Sequence, residues 1–345
     1  MKVDVMTGGR SLRSMQHFAT ATKRAGFSGL VLTETGRTAY LSCVAATMAE
    51  PELDLATGVA VAFPRSPMIT ASTAWELAEA TGGRFRLGLG TQVRAHIERR
   101  YGTAFDPPGP RLEEYVRAVR ACFAGFRGEP FAFDGRFTQM SLLPKAWSPG
   151  AISVDDPPVD VAAVGPWMLR MAGRVADGVH VHPINTDVYL RDTVVSGVAA
   201  GAQEAGRSSS AVQLIVPSFT VVGDTAEERA PWREMARQQV SFYGSTPNYS
   251  FIFEQIGFPD TTARIRACQK AGDIAGMAAV ITDEVLDHFV VSAPWDGLAD
   301  ALVARYGGVA TRVVLYYGAA MHDRDTRDFE RLGEVARDVL ARTEK

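Results

Sequence analysis

Two histidines, His180 and His182, stand two residues apart in the run His180-Val181-His182-Pro183, and their spacing would place both on one side of a strand. Either ring can give or take a proton, accept a hydrogen bond from a ligand, or form half of a metal pair. Metal is the poorest of these, because no third ligand stands at helpful spacing and His17, His288 and His322 are remote in sequence. His180, the deeper of the two, fits a satisfied core histidine, and His182 is the better candidate acid or base. A carboxylate in Thr33-Glu34-Thr35 can accept from a heterocycle N–H or pair with a neighbouring arginine. Gly83-Arg84-Phe85-Arg86-Leu87-Gly88-Leu89-Gly90-Thr91-Gln92 reads as a buried strand whose glycines let another group lie flat on its end. His96 follows at comparable depth. In Val164-Gly165-Pro166-Trp167-Met168 a proline suited to a first helical turn leaves N–H groups open, where a phosphate can rest. Gly58, inside the apolar run Ala56-Thr57-Gly58-Val59-Ala60, marks a bulge, a close approach by a ligand, or simple packing.

The elements that must position these residues alternate along the whole chain. Strand-like runs occur at Lys2–Met6, Gly29–Thr33, Asp54–Val61, Phe85–Leu89, Val159–Val164, Gly178–His182, Gln213–Val222 and Arg312–Tyr316. Helical periodicity fills Ser14–Ala25, Pro67–Thr81, Asp187–Gly206, Thr225–Tyr243 and Arg327–Thr343. Eight strands, each followed by helix, with no polar linker, predict an α/β fold: a single (β/α)8 TIM barrel over residues 1–345. A doubly wound open sheet is the alternative. Two stretches exceed a barrel's needs, at about 125–150 after the fourth strand and about 245–295 after the seventh. The first contains an Asp134-Gly135 turn that predicts a hairpin. Such insertions commonly cap the C-terminal mouth, where barrels bind ligands.

The 345 residues are 46% hydrophobic and 22% charged, with a net charge of −3, which gives no electrostatic case for nucleic acid or an anionic membrane. No apolar run approaches the roughly 18 residues of a membrane span. Cys43, Cys122 and Cys268 are isolated, as expected of small core hydrophobes in a reducing cytoplasm. There is no GxGxxG at a strand–helix junction, no phosphate-binding GxxxxGK[ST] and no Gly-x-Ser-x-Gly elbow. Hydride or oxygen chemistry borrowed from an organic cofactor is what these absences leave.

The whole chain resembles the luciferase-like flavin and deazaflavin oxidoreductases. The carriers are Gly82 to Thr91, Val164-Gly165-Pro166, Ala176-Asp177-Gly178-Val179 and Arg24-Ala25-Gly26-Phe27. Ser241-Phe242-Tyr243-Gly244-Ser245-Thr246-Pro247-Asn248-Tyr249 resembles the branch that uses coenzyme F420. The resemblance implies a tricyclic ring at the barrel mouth, its back on a bulge with a non-prolyl cis peptide at Gly58-Val59. It implies Glu34 at the ring's polar edge, Thr91, Gln92 and His96 along the ring and ribityl chain, and backbone of Val164, Gly165, Pro166 and Trp167 at the phosphate. Tyr40, Trp147 and Tyr249 would line the substrate side. The implied activity is F420-dependent hydride transfer to or from a small organic substrate, in a cytoplasmic homodimer. An FMN-dependent monooxygenase and a non-catalytic cofactor-binding protein are the alternatives. Val93 and Asn185 stand where the family's sugar-phosphate dehydrogenases carry a glutamate and a lysine, which argues against a phosphorylated sugar.

Overall fold

The computed structural model describes residues 1–344. The chain opens with β1 (Lys2–Thr7), α1 (Leu12–Ala25), β2 (Gly29–Leu32), α2 (Ala39–Ala49), β3 (Asp54–Thr57), β4 (Ala60–Val61) and α3 (Pro67–Ala80). It continues through β5 (Phe85–Gly90), α4 (Arg94–Arg99), α5 (Pro108–Phe126), a hairpin of β6 (Phe133–Asp134) and β7 (Gln139–Met140), β8 (Val159–Ala162) and α6 (Pro166–Val175). Next come β9 (Gly178–His180), α7 (Ser196–Glu204), β10 (Gln213–Val222) and α8 (Ala226–Gly244). The second excursion holds α9 (Ser250–Glu254), α10 (Thr261–Ala271), α11 (Ile274–Val280), α12 (Asp283–Asp287) and β11 (Val290–Ala293). The chain then passes through α13 (Leu298–Tyr306), β12 (Arg312–Leu315), α14 (Gly318–Arg324) and α15 (Thr326–Thr343).

The parallel strands β12, β1, β2, β3, β5, β8, β9 and β10 pair in that order, and β10 pairs back to β12, closing the expected (β/α)8 barrel. All strand C-termini therefore share one mouth. Helix ends are set locally. The Ser11 hydroxyl caps α1 and Gly26 ends it at φ 98°. Ser66 caps α3, where Pro67 needs no N–H partner, and Thr225 and Glu228 form a reciprocal capping box on α8.

Three details refine the sequence reading. The run Asp54–Val61 is not one strand: Ala56 pairs with Arg86 but Ala60 pairs with Leu89, four steps against three. One extra residue lies between them, so Gly58 does mark a bulge, and its bond to Val59 is cis. The Asp-Gly turn is a hairpin, Phe133 facing Met140. The strand β11 was hidden in the second excursion, and it extends the sheet by pairing with the outer half of β10. Cys43 and Cys122 are buried and Cys268 is half-buried.

Outward strand residues such as Val3, Val5, Leu30, Leu87 and Leu89 join the helices in one large apolar core. Inside the barrel the lowest layer is ionic. Arg312 on β12 donates from Nε to Asp4 on β1 at 2.6 Å and from Nη2 to Asp54 on β3 at 2.9 Å. Arg86 on β5 makes a two-pronged contact to fully buried Asp160 on β8, at 2.8 and 2.6 Å. Above it sits an apolar layer of Met6, Val31, Ala56, Ile215 and Val314. A cavity of about 420 Å³ opens at the ionic end, lined by Lys2, Asp54, Arg84, Arg86 and Arg312. It lies where the strands begin, opposite the mouth, and Lys2, Asp54, Arg86 and Arg312 are already paired across the strands, while Arg84 donates to the Thr81 carbonyl.

Removing one partner of a buried pair strands the other charge. Arg312→Met is expected to cost about 3–5 kcal/mol in urea unfolding; a loss below about 1 kcal/mol, that of an exposed pair, would refute the closing role. Burial favours the neutral Asp54 acid, but Arg312 and Lys2 outweigh it and hold its pKa below the usual carboxylate value. The folded value is below the unfolded one, so Asp54 stabilises the fold above about pH 4 and the contribution fades as pH falls through the folded value. Asp54→Asn should flatten the acid limb of the stability curve.

Candidate functional site

His180 and His182 are carried by β9 and the residues just past it, so both lie along the barrel's interior towards the mouth. They differ sharply in surroundings. His180 is 7% exposed and wedged beneath the bulge. A side chain at Gly88 would collide with its ring and with the Thr57 carbonyl, and one at Gly58 would come within 3.4 Å of it. Gly88 thus makes room for the imidazole, while at Gly58 the barrier to a side chain is Val31, 2.1 Å from where its Cβ would lie. Its Nε2 lies 3.8 Å from Asp160, too far to bond, and has no hydrogen-bond partner. Burial lowers its pKa to about 4 despite that carboxylate.

His182 sits between aromatic rings, edge-on to Tyr243 at 4.7 Å and tilted against Tyr249 at 4.6 Å. Burial alone lowers its pKa to about 3, so it is neutral at ordinary pH. Its Nδ1 accepts the Ile184 amide at 3.2 Å, which puts the ring proton on Nε2. His182 is therefore a fixed neutral donor, suited to polarising a substrate oxygen or nitrogen rather than to taking a proton at Nε2. Beside it, Gln239 donates to the Tyr316 hydroxyl at 2.8 Å, which lies 2.8 Å from that of Tyr243. The side-chain nitrogen of Asn185 is committed to backbone, and its Oδ1 is buried without a partner among the described residues. Its amide ties the turn to the His182, Pro183 and Pro217 carbonyls at 3.0, 3.2 and 2.8 Å.

On the opposite wall, Glu34 takes the arginine alternative of the sequence reading. Arg65 donates to its two oxygens at 2.8 and 2.5 Å, and the Val61 amide donates at 2.7 Å. The carboxylate thus pins the far end of the bulge. Next to it, Val59 lies over Gly90, where a Cβ would come within 2.5 Å of the valine side chain. Thr91 and Gln92 fold into their own turn: the Thr91 hydroxyl donates to the Gln92 carbonyl at 3.0 Å, and the Gln92 side chain accepts from Val93 at 2.9 Å. Gln92 adopts φ 56°. His96 is exposed on the short α4.

After β8 the chain turns through Gly165 into α6 with no side-chain cap, and open space surrounds the Gly165 Cα. Pro166 has no N–H, and Leu169 is the first to bond back, to Gly165. The Trp167 and Met168 amides are the free donors of that turn. The Val164 carbonyl is held by the Tyr189 hydroxyl at 2.9 Å. Of the aromatics expected on the substrate side, Tyr249 reaches His182, Tyr40 is buried below Arg65 and Trp147 is 82% exposed. Arg65 and Tyr189 escaped the sequence reading, and Tyr243 entered it only within the Ser241–Tyr249 segment, with no role assigned. Of the two, only the arginine had a signal, its place between Pro64 and Ser66 just beyond the bulge.

Unfolding returns His182 to a pKa near 6.5, above its folded value, so the unfolded chain binds more protons between those limits. Its stabilisation is complete above about pH 6.5 and is lost progressively as pH falls towards 3. Replacing His182 with Asn should flatten the fall in urea midpoint between pH 6.5 and 4; an unchanged slope would mean the ring is already charged there.

The luciferase-like monooxygenase family model matches residues 1–312. An uncharacterized protein of Mycobacterium tuberculosis strain H37Rv is 35% identical over 306 residues, covering 88% of this chain and 90% of that protein. The 5,10-methylenetetrahydromethanopterin reductase of Methanolobus tindarius is 29% identical over 283 residues, covering 80% and 81% of the two chains. The solved coenzyme F420-dependent tetrahydromethanopterin reductase of Methanopyrus kandleri shares the fold, with a TM-score of 0.82 at 19% identity and 99% of each chain covered. With its family model matched across most of its length, this chain belongs to the luciferase-like monooxygenase family.

Proposed function

We propose that this protein is a coenzyme F420-dependent oxidoreductase acting on a small organic substrate, in the same broad activity class as the methanopterin reductases it resembles. The observation that carries the reading is the neutral His182 donor, fixed at the barrel mouth across from a pinned backbone bulge. The residues present fit such a cofactor. Glycines at 58, 88 and 90 keep the bulge wall low. The free Trp167 and Met168 amides and the open space at Gly165 suit a phosphate. When bound, the deazaflavin supplies two-electron hydride chemistry.

In this reading Gly58 and Val59 back the ring, and Glu34 acts behind them by holding Val61 rather than by touching the ring. Thr91, Gln92 and His96 border the ring and its chain, and Val164, Gly165, Pro166 and Trp167 border the phosphate. His182 donates from Nε2 to the substrate atom that gains electron density, and Tyr243 and Tyr249 exclude water around it. The homodimer and cytoplasmic location expected from the resemblance belong to the same proposal. The family's monooxygenase description favours a second reading, FMN-dependent oxygenation.

Fluorescence titration of the apoprotein separates the two. F420 is expected to bind at micromolar concentration or tighter, with FMN about tenfold weaker or more. The reverse order would install the monooxygenase reading, and binding of neither would remove both. With an alcohol, aldehyde or enone found by screening, His182→Phe should lower kcat about 10²-fold while leaving the F420 Kd within about twofold. Unchanged kcat would take His182 out of the reaction.

A further inference from the structure

A second cleft, of about 430 Å³, lies outside the barrel between the turn Phe63–Pro67, the start of α5 and the hairpin residues Phe137–Met140. That volume is in the range of small-molecule sites. Its walls are fixed in place. The Glu114 carboxylate on α5 accepts the amides of Arg136, Phe137 and Thr138 at 2.8, 2.7 and 2.7 Å, clamping the hairpin loop. Tyr115 and Thr70 share a hydrogen bond of 2.6 Å along the floor.

The charges in the cleft are unequal. Arg65 is neutralised by Glu34. Arg111 stacks its guanidinium over Phe63, 4.6 Å from the ring centre, and anchors Nη1 on the Ala104 carbonyl. Among the described residues no carboxylate pairs with it, and burial pushes its pKa down with nothing opposing. Several shielded arginines are answered by carboxylates, Arg312 by Asp4, Arg86 by Asp160, Arg65 by Glu34 and Arg127 by Asp156, whereas Arg305, Arg229 and Arg266 donate to backbone carbonyls. Arg111 differs from these in lining a cleft with an aromatic ring at its face. An arginine held against an aromatic ring with its counter-ion missing, in a rigid cleft, is a receptor for an anion. The neighbours Phe63, Pro64, Phe137 and Met140 ask for an apolar body behind that anion.

The geometry points to a binding site for a small organic carboxylate in this cleft, its carboxylate on Arg111 and its apolar body between Phe63 and Phe137. The cleft's lining includes neither His182 nor Tyr243 nor Tyr249, and the proposal does not depend on which cofactor the mouth accepts. Its link to the mouth is Arg65, which lines the cleft and holds Glu34 against the bulge.

The probe is 4-iodobenzoate, soaked into crystals of the full chain and titrated by calorimetry in solution. One anomalous iodine peak is expected in the cleft, with the carboxylate on Arg111 and saturable binding in solution. Arg111→Gln should weaken binding about tenfold or more. Phe137→Ala, at the hairpin tip, should weaken it severalfold through lost apolar contact. His182→Phe should leave the Kd unchanged, which keeps this test distinct from that of the catalytic reading. The proposal is overturned by any of the following: no iodine in the cleft, a carboxylate turned away from Arg111, binding at crystal concentration only, wild-type affinity in Arg111→Gln, or a Kd altered by His182→Phe.

Discussion

Arg312 reaches from the last strand to Asp4 on the first and Asp54 on the third, and the barrel's closure rests on that contact. Buried charges are expensive, and such a pair is tolerated only when nearly every hydrogen-bonding position is filled. Here the guanidinium bonds both oxygens of Asp4 and one of Asp54, while Lys2 takes up Asp54 from the outside. The Arg86–Asp160 pair does the same across β5 and β8. Mispaired strands would strand a charge in the interior, so the ionic layer also selects against other registers, as an apolar layer of similar volume would not.

The upper barrel follows from that base. Above the ions the interior becomes apolar, then narrows to glycine at 58, 88 and 90, and the space released is taken by His180 and by the bulge. The bulge lifts the chain after β3 and presents the Val61 amide to Glu34. Arg65 then completes the carboxylate's bonding. Each step up the barrel uses a polar group already committed to a neighbour, leaving a wall of backbone with little free charge. His182 faces this wall as an uncharged donor.

That electrical neutrality is the chemical character of the mouth. A neutral imidazole with its proton held on Nε2 can stabilise growing negative charge without itself changing charge, and surrounding tyrosines keep the dielectric low. Asn185 is used as a strut between β9 and β10, so no cation stands there for a phosphorylated substrate. Free cationic character appears instead in the lateral cleft, at Arg111.

The sequence by itself determined the alternation of strands and helices, the helix starts at Pro67 and Thr225, the hairpin at Asp134-Gly135 and the spacing of the two histidines. These are local properties, written in periods of two and 3.6 residues and in the backbone preferences of Gly and Pro. Gly58 stayed open between bulge, ligand approach and packing until the register across β3, β4 and β5 was seen. The short β11 was not legible, because an apolar run inside a helical excursion becomes a strand only when β10 offers it an edge. Tertiary structure alone decided what each charge meets. Glu34 read equally well as a ligand contact or an arginine partner until the fold brought Arg65, 31 residues away, onto both its oxygens. Asp4 and Arg312 are 308 residues apart, and no window of sequence contains both. The protonation state of His182 likewise depends on Tyr243 and Tyr249 closing over it, since a pKa is set by the surrounding dielectric and partners rather than by neighbours in the chain.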